Sequence, residues 1–130
     1  MIFGIAVHGS PYGSEASGSA LRFARAAVAA GHGIYRVFFY HDGVQIGNGL
    51  TVPPQDEPQI QSEWVALAEE HGIELAVCIA AALKRGLVDA AEQDRYDLPA
   101  ASLHPAFSLV GLGQLIDAIG SSDRFLTFAV

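Results

Sequence analysis

Short apolar runs alternate with helical stripes along this chain. Ile2-Phe3-Gly4-Ile5-Ala6-Val7 is apolar almost throughout, the pattern of a central strand buried on both faces. His8 to Glu15 is rich in Gly, Ser and Pro and reads as a loop. Helical spacing follows: Ala20, Leu21, Ala24, Ala27 and Val28 share one face, with Arg22 and Arg25 opposite, and Gly31 and Gly33 end the helix. Ile34 to Tyr40 is β-branched and aromatic and predicts the second strand. A long loop then runs from His41 to Glu57; Asp56 is the candidate N-cap and Pro58 the first-turn proline of the next helix. Ile60, Trp64, Leu67 and His71 fall on one face of that helix, and Gly72 closes it.

The third strand, Ile73 to Val77, leads directly into Cys78, and Ile79 to Arg85 predicts one or two helical turns ending at Gly86. Gly86 to Pro105 is irregular apart from a short helix within Val88 to Arg95. Phe107 to Val110 predicts a weak fourth strand, Leu112, Leu115, Ile116 and Ile119 a helical stripe, and Arg124 to Val130 a last strand. The alternation predicts an α/β fold: one domain over residues 1–130, with a parallel five-stranded sheet and helices on both faces. Sites in such sheets lie beyond the carboxyl ends of the strands. If the first and third strands are neighbours, Cys78 lies beside the loop His8 to Gly13.

Cys78 is the sole cysteine. At a strand-to-helix junction a thiol meets unpaired helix N–H groups and the positive end of the helix dipole. Both favour thiolate, the reactive form. The plain alternative is an inert core filler, because free cysteine is among the most buried residue types. Lys84 and Arg85 add positive charge, though at the far end of the short helix.

Composition narrows the partners. Charged residues make up 16% of the chain against roughly 25% in an average soluble domain. With 51% hydrophobic residues, such a chain is expected to cover apolar surface with a partner subunit. The net charge of −7, with seven scattered Lys and Arg, argues against direct nucleic-acid binding. One cysteine precludes an internal disulfide and fits a reducing compartment. With no signal-peptide pattern and no apolar run of membrane-spanning length, the expected location is cytoplasmic.

Several rival chemistries fail on spacing. A phosphate-cradling C-x5-R loop needs arginine at position 84, where Lys84 stands, and Ala80-Ala81-Ala82 lacks the glycines of such a cradle. His8, His41 or His104 could each serve as the base of a cysteine hydrolase, but nothing in the sequence pairs one with Cys78. Gly111-Leu112-Gly113 opens a helix as a dinucleotide fingerprint does, yet Ile116 occupies the third glycine position, so a tight turn is the better reading. His41-Asp42-Gly43 reads as a turn. No spacing supports a metal site, and no cofactor is expected.

Longer matches then point to a family. They are Tyr12-Gly13 with the helix from Ala16 to Ala27, Gly31-His32, Val37-Phe38-Phe39-Tyr40-His41-Asp42-Gly43-Val44 and Pro53-Pro54-Gln55-Asp56-Glu57. To these are added Val77-Cys78-Ile79-Ala80-Ala81-Ala82 with Arg85-Gly86, Val88-Asp89, and Gly111-Leu112-Gly113-Gln114-Leu115. In these segments the chain resembles the TusD/DsrE family of sulfur-relay proteins nearly end to end. The resemblance implies a Rossmann-like domain and a sulfurtransferase subunit with a persulfide-carrying cysteine, here Cys78. It also implies a heterohexamer with two paralogous subunits, with small sulfur-carrier proteins as donor and acceptor. The implied pathway is dissimilatory sulfur oxidation or thiolation of transfer RNA; His41-Asp42, Pro54-Gln55-Asp56 and Leu103-His104-Pro105 look closer to the oxidation branch. A binding or scaffold subunit with an inert cysteine is the alternative. The long segments Asp42 to Glu57 and Gly86 to Pro105 are candidates for shielding a persulfide or docking its donor.

Overall fold

The computed structural model describes residues 1–130. In chain order it contains β1 (Ile2–Val7), α1 (Ala16–Ala29), β2 (Gly33–Phe39), a 3₁₀ segment (His41–Gly47), α2 (Ile60–His71) and β3 (Glu74–Cys78). There follow α3 (Ile79–Leu83), α4 (Ala90–Arg95), β4 (Ser108–Val110), α5 (Gly113–Ser121) and β5 (Arg124–Phe128). The five strands form one sheet in the order β4-β3-β2-β1-β5, with every pair parallel. From β1 the chain steps outward to β2, β3 and β4, then returns across the sheet to place β5 on the far side of β1. Right-handed crossovers in opposite directions put α1 and α2 on one face and α5 on the other. No helix is long and apolar enough to cross a membrane.

This order corrects one expectation. β1 and β3 are not neighbours, because β2 lies between them. The residue beside Cys78 therefore comes from the end of β2, and the loop after β1 stands two strands away.

Alternation along each strand sorts the core. Ile5, Val37, Phe39, Leu75 and Val77 are all buried and face α1 and α2. The small residues Ala16, Ser17, Ala20 and Ala24 let α1 approach closely. Trp64 of α2 is fully buried; its indole N–H donates to Ser17 Oγ at 3.1 Å and its ring meets Phe39 edge-on at 5.5 Å. α2 starts later than expected, at Ile60 with Gln59 in the cap position, so Asp56 lies in the preceding turn and Pro58 just before the helix. His71 is exposed, and Ala68 completes the buried stripe in its place. Gly72 ends the helix with φ +65°, a left-handed conformation that favours glycine.

The face under α5 is held differently. Leu112, Ile116 and Ile119 are exposed, and of the residues within α5 only Ala118 is buried, so most of the predicted apolar stripe does not enter this chain's core. α5 is pinned instead by Arg36 of β2. Its Nε donates to Glu74 at 2.6 Å, and its Nη1 donates to Asp117 at 2.9 Å and to the Gln114 carbonyl at 2.8 Å. The Tyr35 hydroxyl also donates to Asp117, at 2.7 Å.

These donors, Tyr35 first and Arg36 next, hold the Asp117 carboxyl below its ordinary pKa. A depressed carboxylate stabilises the fold at pH values above its unfolded pKa, and that contribution is lost as pH falls through the folded value. Acid should therefore release α5 below about pH 4. Asp117→Asn is expected to lower the urea midpoint at neutral pH and to flatten its decline on acidification. Urea titrations across that range check both effects.

Candidate functional site

Cys78 is the last residue of β3 and the residue before α3, with φ −59° and ψ 118°. Its sulfur makes no capping hydrogen bond to α3. The register sets its neighbours. On one side it pairs with Val110, the last residue of β4. On the other side Val77 stands opposite Phe39, so the next residue, Tyr40, stands beside Cys78. Val7 in turn stands opposite Phe39, and the Tyr40 N–H donates to the Val7 carbonyl at 2.9 Å. The next residue along β1 is His8, whose N–H reaches the Phe128 carbonyl of β5 at 2.9 Å. Val110, Cys78, Tyr40 and His8 thus form one row across the carboxyl end of the sheet. Strand alternation places all four on the face that carries Arg36 and Glu74.

A second layer comes from the chain after β2. His41 adopts φ +50°, unusual for a residue with a side chain. Its ring stacks on Tyr40 with centroids 4.1 Å apart and planes within 3°. The same ring meets His8 edge-on at 4.9 Å, and His8 lies 5.9 Å from Tyr40. Burial, helped by the nearby His41 charge, lowers the pKa of His8. The Gly43 N–H is shared between the carbonyls of Tyr40 at 2.8 Å and His8 at 3.0 Å. Asp42 accepts from Arg85 Nε at 3.0 Å, and Arg85 Nη1 also donates to the Ala81 carbonyl at 3.0 Å. This pair ties the 3₁₀ segment to α3.

Cys78 is buried, with 2% of its surface exposed in the isolated chain. A relay thiol is expected to be reachable, and here it is covered. The physical reason is local: a small side chain stands between the larger Val110 and Tyr40, and α3 packs against the 3₁₀ segment and β4 beside it. α3 is five residues long, so few peptide dipoles add up at its start.

The other sequence candidates separate. His104 Nδ1 accepts from the Ala106 N–H at 3.0 Å and its ring meets Phe107 at 5.9 Å, so it shapes the turn before β4. His8 and His41 come together beside Tyr40. Asp42, read from sequence as part of a turn, is an ion-pair partner of Arg85; the sequence carries no signal for that pairing across 43 positions. The two long segments meet each other: Asn48 bridges Leu103, and the His104 N–H donates to the Gly47 carbonyl at 2.8 Å. No group of three or more His, Cys, Asp or Glu comes together as a metal cage.

The family model described as DsrE/DsrF-like matches residues 1–128. The chain belongs to the DsrE/DsrF-like family. It is 46% identical over 128 residues to the DsrE protein of Allochromatium vinosum, covering 98% of both chains. It is 49% identical over 124 residues to the sulfurtransferase TusD of Serratia proteamaculans, covering 95% of this chain and 96% of that one. The YchN protein of Escherichia coli has the same fold, with a TM-score of 0.78 and 23% identity over 98% of this chain and 99% of that one. Within this DsrE/DsrF-like fold, the row Val110-Cys78-Tyr40-His8 is where a thiol and titratable groups converge.

Proposed function

We propose that this chain is a sulfurtransferase that accepts sulfur as a persulfide on Cys78 and passes it to a partner protein. The observation that carries the reading is the position of the chain's only thiol, at the carboxyl end of β3 in a row with His8, in a chain whose relatives are named sulfurtransferases. Cys78 thiolate attacks the outer sulfur of a donor persulfide, and the donor leaves as thiolate. An acceptor thiol then attacks the sulfur now held on Cys78, which leaves in turn. One cysteine suffices because each exchange is intermolecular. A second cysteine nearby would form a disulfide and discharge the cargo.

Burial of Cys78 sets a condition on the first step. Its flank is the edge strand β4, only three residues long, and Cys78 pairs with the last of them. Short edge elements open most readily, so fraying of Val110 is the route by which a donor reaches the sulfur. Once loaded, the transferable sulfur lies about 2 Å further out than the cysteine sulfur, by the ordinary S–S length.

The proposed assembly is a heterohexamer with two paralogous subunits. The exposed Leu112, Ile116 and Ile119 of α5 support a subunit contact of some kind. The proposed setting is cytoplasmic, in sulfur oxidation or in transfer RNA thiolation, with small carrier proteins as donor and acceptor. The competing reading, a scaffold subunit with an inert cysteine, draws on the burial of Cys78. Incubation with a protein persulfide donor followed by intact mass measurement separates the two. A gain of one sulfur atom, reversed by reductant, is expected; an unchanged mass with a competent donor would leave the scaffold reading standing.

A further inference from the structure

His8 and His41 have no part in the exchange as written above, yet the fold brings them together from two different elements. Their rings lie 4.9 Å apart, and Tyr40, the in-register neighbour of Cys78, touches both. His41 holds φ +50° in doing so. Backbone strain of this kind persists where the surroundings over-determine it, often at functional sites. We propose that His8 and His41 act as one imidazole pair that takes the proton of the incoming acceptor thiol as sulfur leaves Cys78.

The distances allow it. Two strand spacings separate His8 from Cys78, about 10 Å between backbones. An acceptor sulfur in line with a persulfide sits about 4 Å out from the cysteine sulfur, at two S–S lengths. Directed across Tyr40, that atom comes within reach of an imidazole, directly or through one water. The step balances without an oxidant. The acceptor S–H proton passes to an imidazole nitrogen, the acceptor sulfur bonds to the outer sulfur, and the bond from that sulfur to Cys78 breaks. Cys78 leaves with the electron pair, and the imidazolium returns the proton to it.

Burial first, and the nearby His41 next, hold the pKa of His8 below its ordinary value, which keeps His8 available as a base. Tyr40 from the end of β2 packs against both rings, Asp42 with its partner Arg85 follows His41 directly in the chain, and Cys78 of β3 stands two strands from His8. β5 contributes the Phe128 carbonyl to the His8 N–H and no titratable side chain from its last residues.

The proposal rests on Cys78 carrying sulfur, and the test reads that separately. The full chain is loaded from a persulfide donor and weighed; failure to load sinks the proposed function and this step with it. Loaded protein is then discharged with free cysteine as the acceptor thiol across a range of pH. The His8→Gln/His41→Asn double variant is expected to discharge about 100-fold more slowly near neutral pH, the low end for general base catalysis. The gap should close to about twofold above pH 9, where the acceptor thiol is already ionised. Rates equal to the unmodified chain at every pH overturn the proposal, as does a uniform loss at every pH, which marks a structural role. His41→Asn alone keeps the left-handed residue in a type that tolerates it. It is expected to move the inflection of the pH–rate profile upward by removing the neighbouring charge from His8, and an unmoved inflection counts against the pair.

Discussion

Cys78→Ser is expected to abolish sulfur loading completely while leaving the fold intact. Serine offers no sulfur to bond with the incoming atom, so the persulfide mass gain should vanish and transfer to any acceptor should fall to background. The fold survives for a particular reason. A hydroxyl buried at 2% exposure would ordinarily cost about 1–3 kcal/mol if it found no partner. Position 78 is also the N-cap of α3, where serine is a favoured residue because its oxygen accepts from a free helix N–H. That gain, typically about 1 kcal/mol, offsets much of the cost. Thermal unfolding should shift by only a few degrees, on a scale of about 4 °C per kcal/mol at this chain length. A variant that still gains one sulfur would place the cargo on another group and remove Cys78 from the mechanism.

Much of this architecture is written in local patterns. β1 matches its predicted span, and β2 is displaced by one residue, because continuous apolar runs mark strands buried on both faces. α1 and the end of α2 follow from alanine spacing and from Gly72. Strand order is a different kind of information. It depends on which way each crossover travels, and the segments Gly86 to Pro105 and Gly111 to Asp123 do not encode that direction locally. So Tyr40, an ordinary aromatic at a strand end, became the neighbour of Cys78 without any motif announcing it. The 3₁₀ segment was hidden for a similar reason. Val44 and Ile46 are buried, but two apolar residues at a spacing of two fit neither a helix nor a full strand. The stripe of α5 was legible as an amphipathic helix; its exposure was not, since a pattern tells which face is apolar and not what covers it.

Gly43→Ala is expected to destabilise the chain by about 3 kcal/mol, at the upper end of overpacking costs, and to make Cys78 more reactive at the same time. A methyl group on Gly43 would collide with the Val7 carbonyl oxygen and stand 3.0 Å from its carbon. Neither contact is with a flexible side chain. Val7 lies in β1, an interior strand paired on both sides, its carbonyl already accepting from Tyr40, so the sheet does not yield. The 3₁₀ segment must move instead. Moving it breaks the Gly43 N–H contacts to Tyr40 and His8 and pulls on the Asp42–Arg85 pair that holds α3. Each of those groups flanks or supports Cys78, so its burial should fall together with global stability. Denaturant unfolding reads the first effect. The alkylation rate of Cys78 under fully native conditions reads the second, with an increase of more than about tenfold expected if local opening becomes easier by 1.4 kcal/mol or more. A destabilised variant whose thiol stays as slow as before would show that the 3₁₀ segment and the cysteine are energetically independent. The approach to Cys78 would then lie wholly on the β4 side.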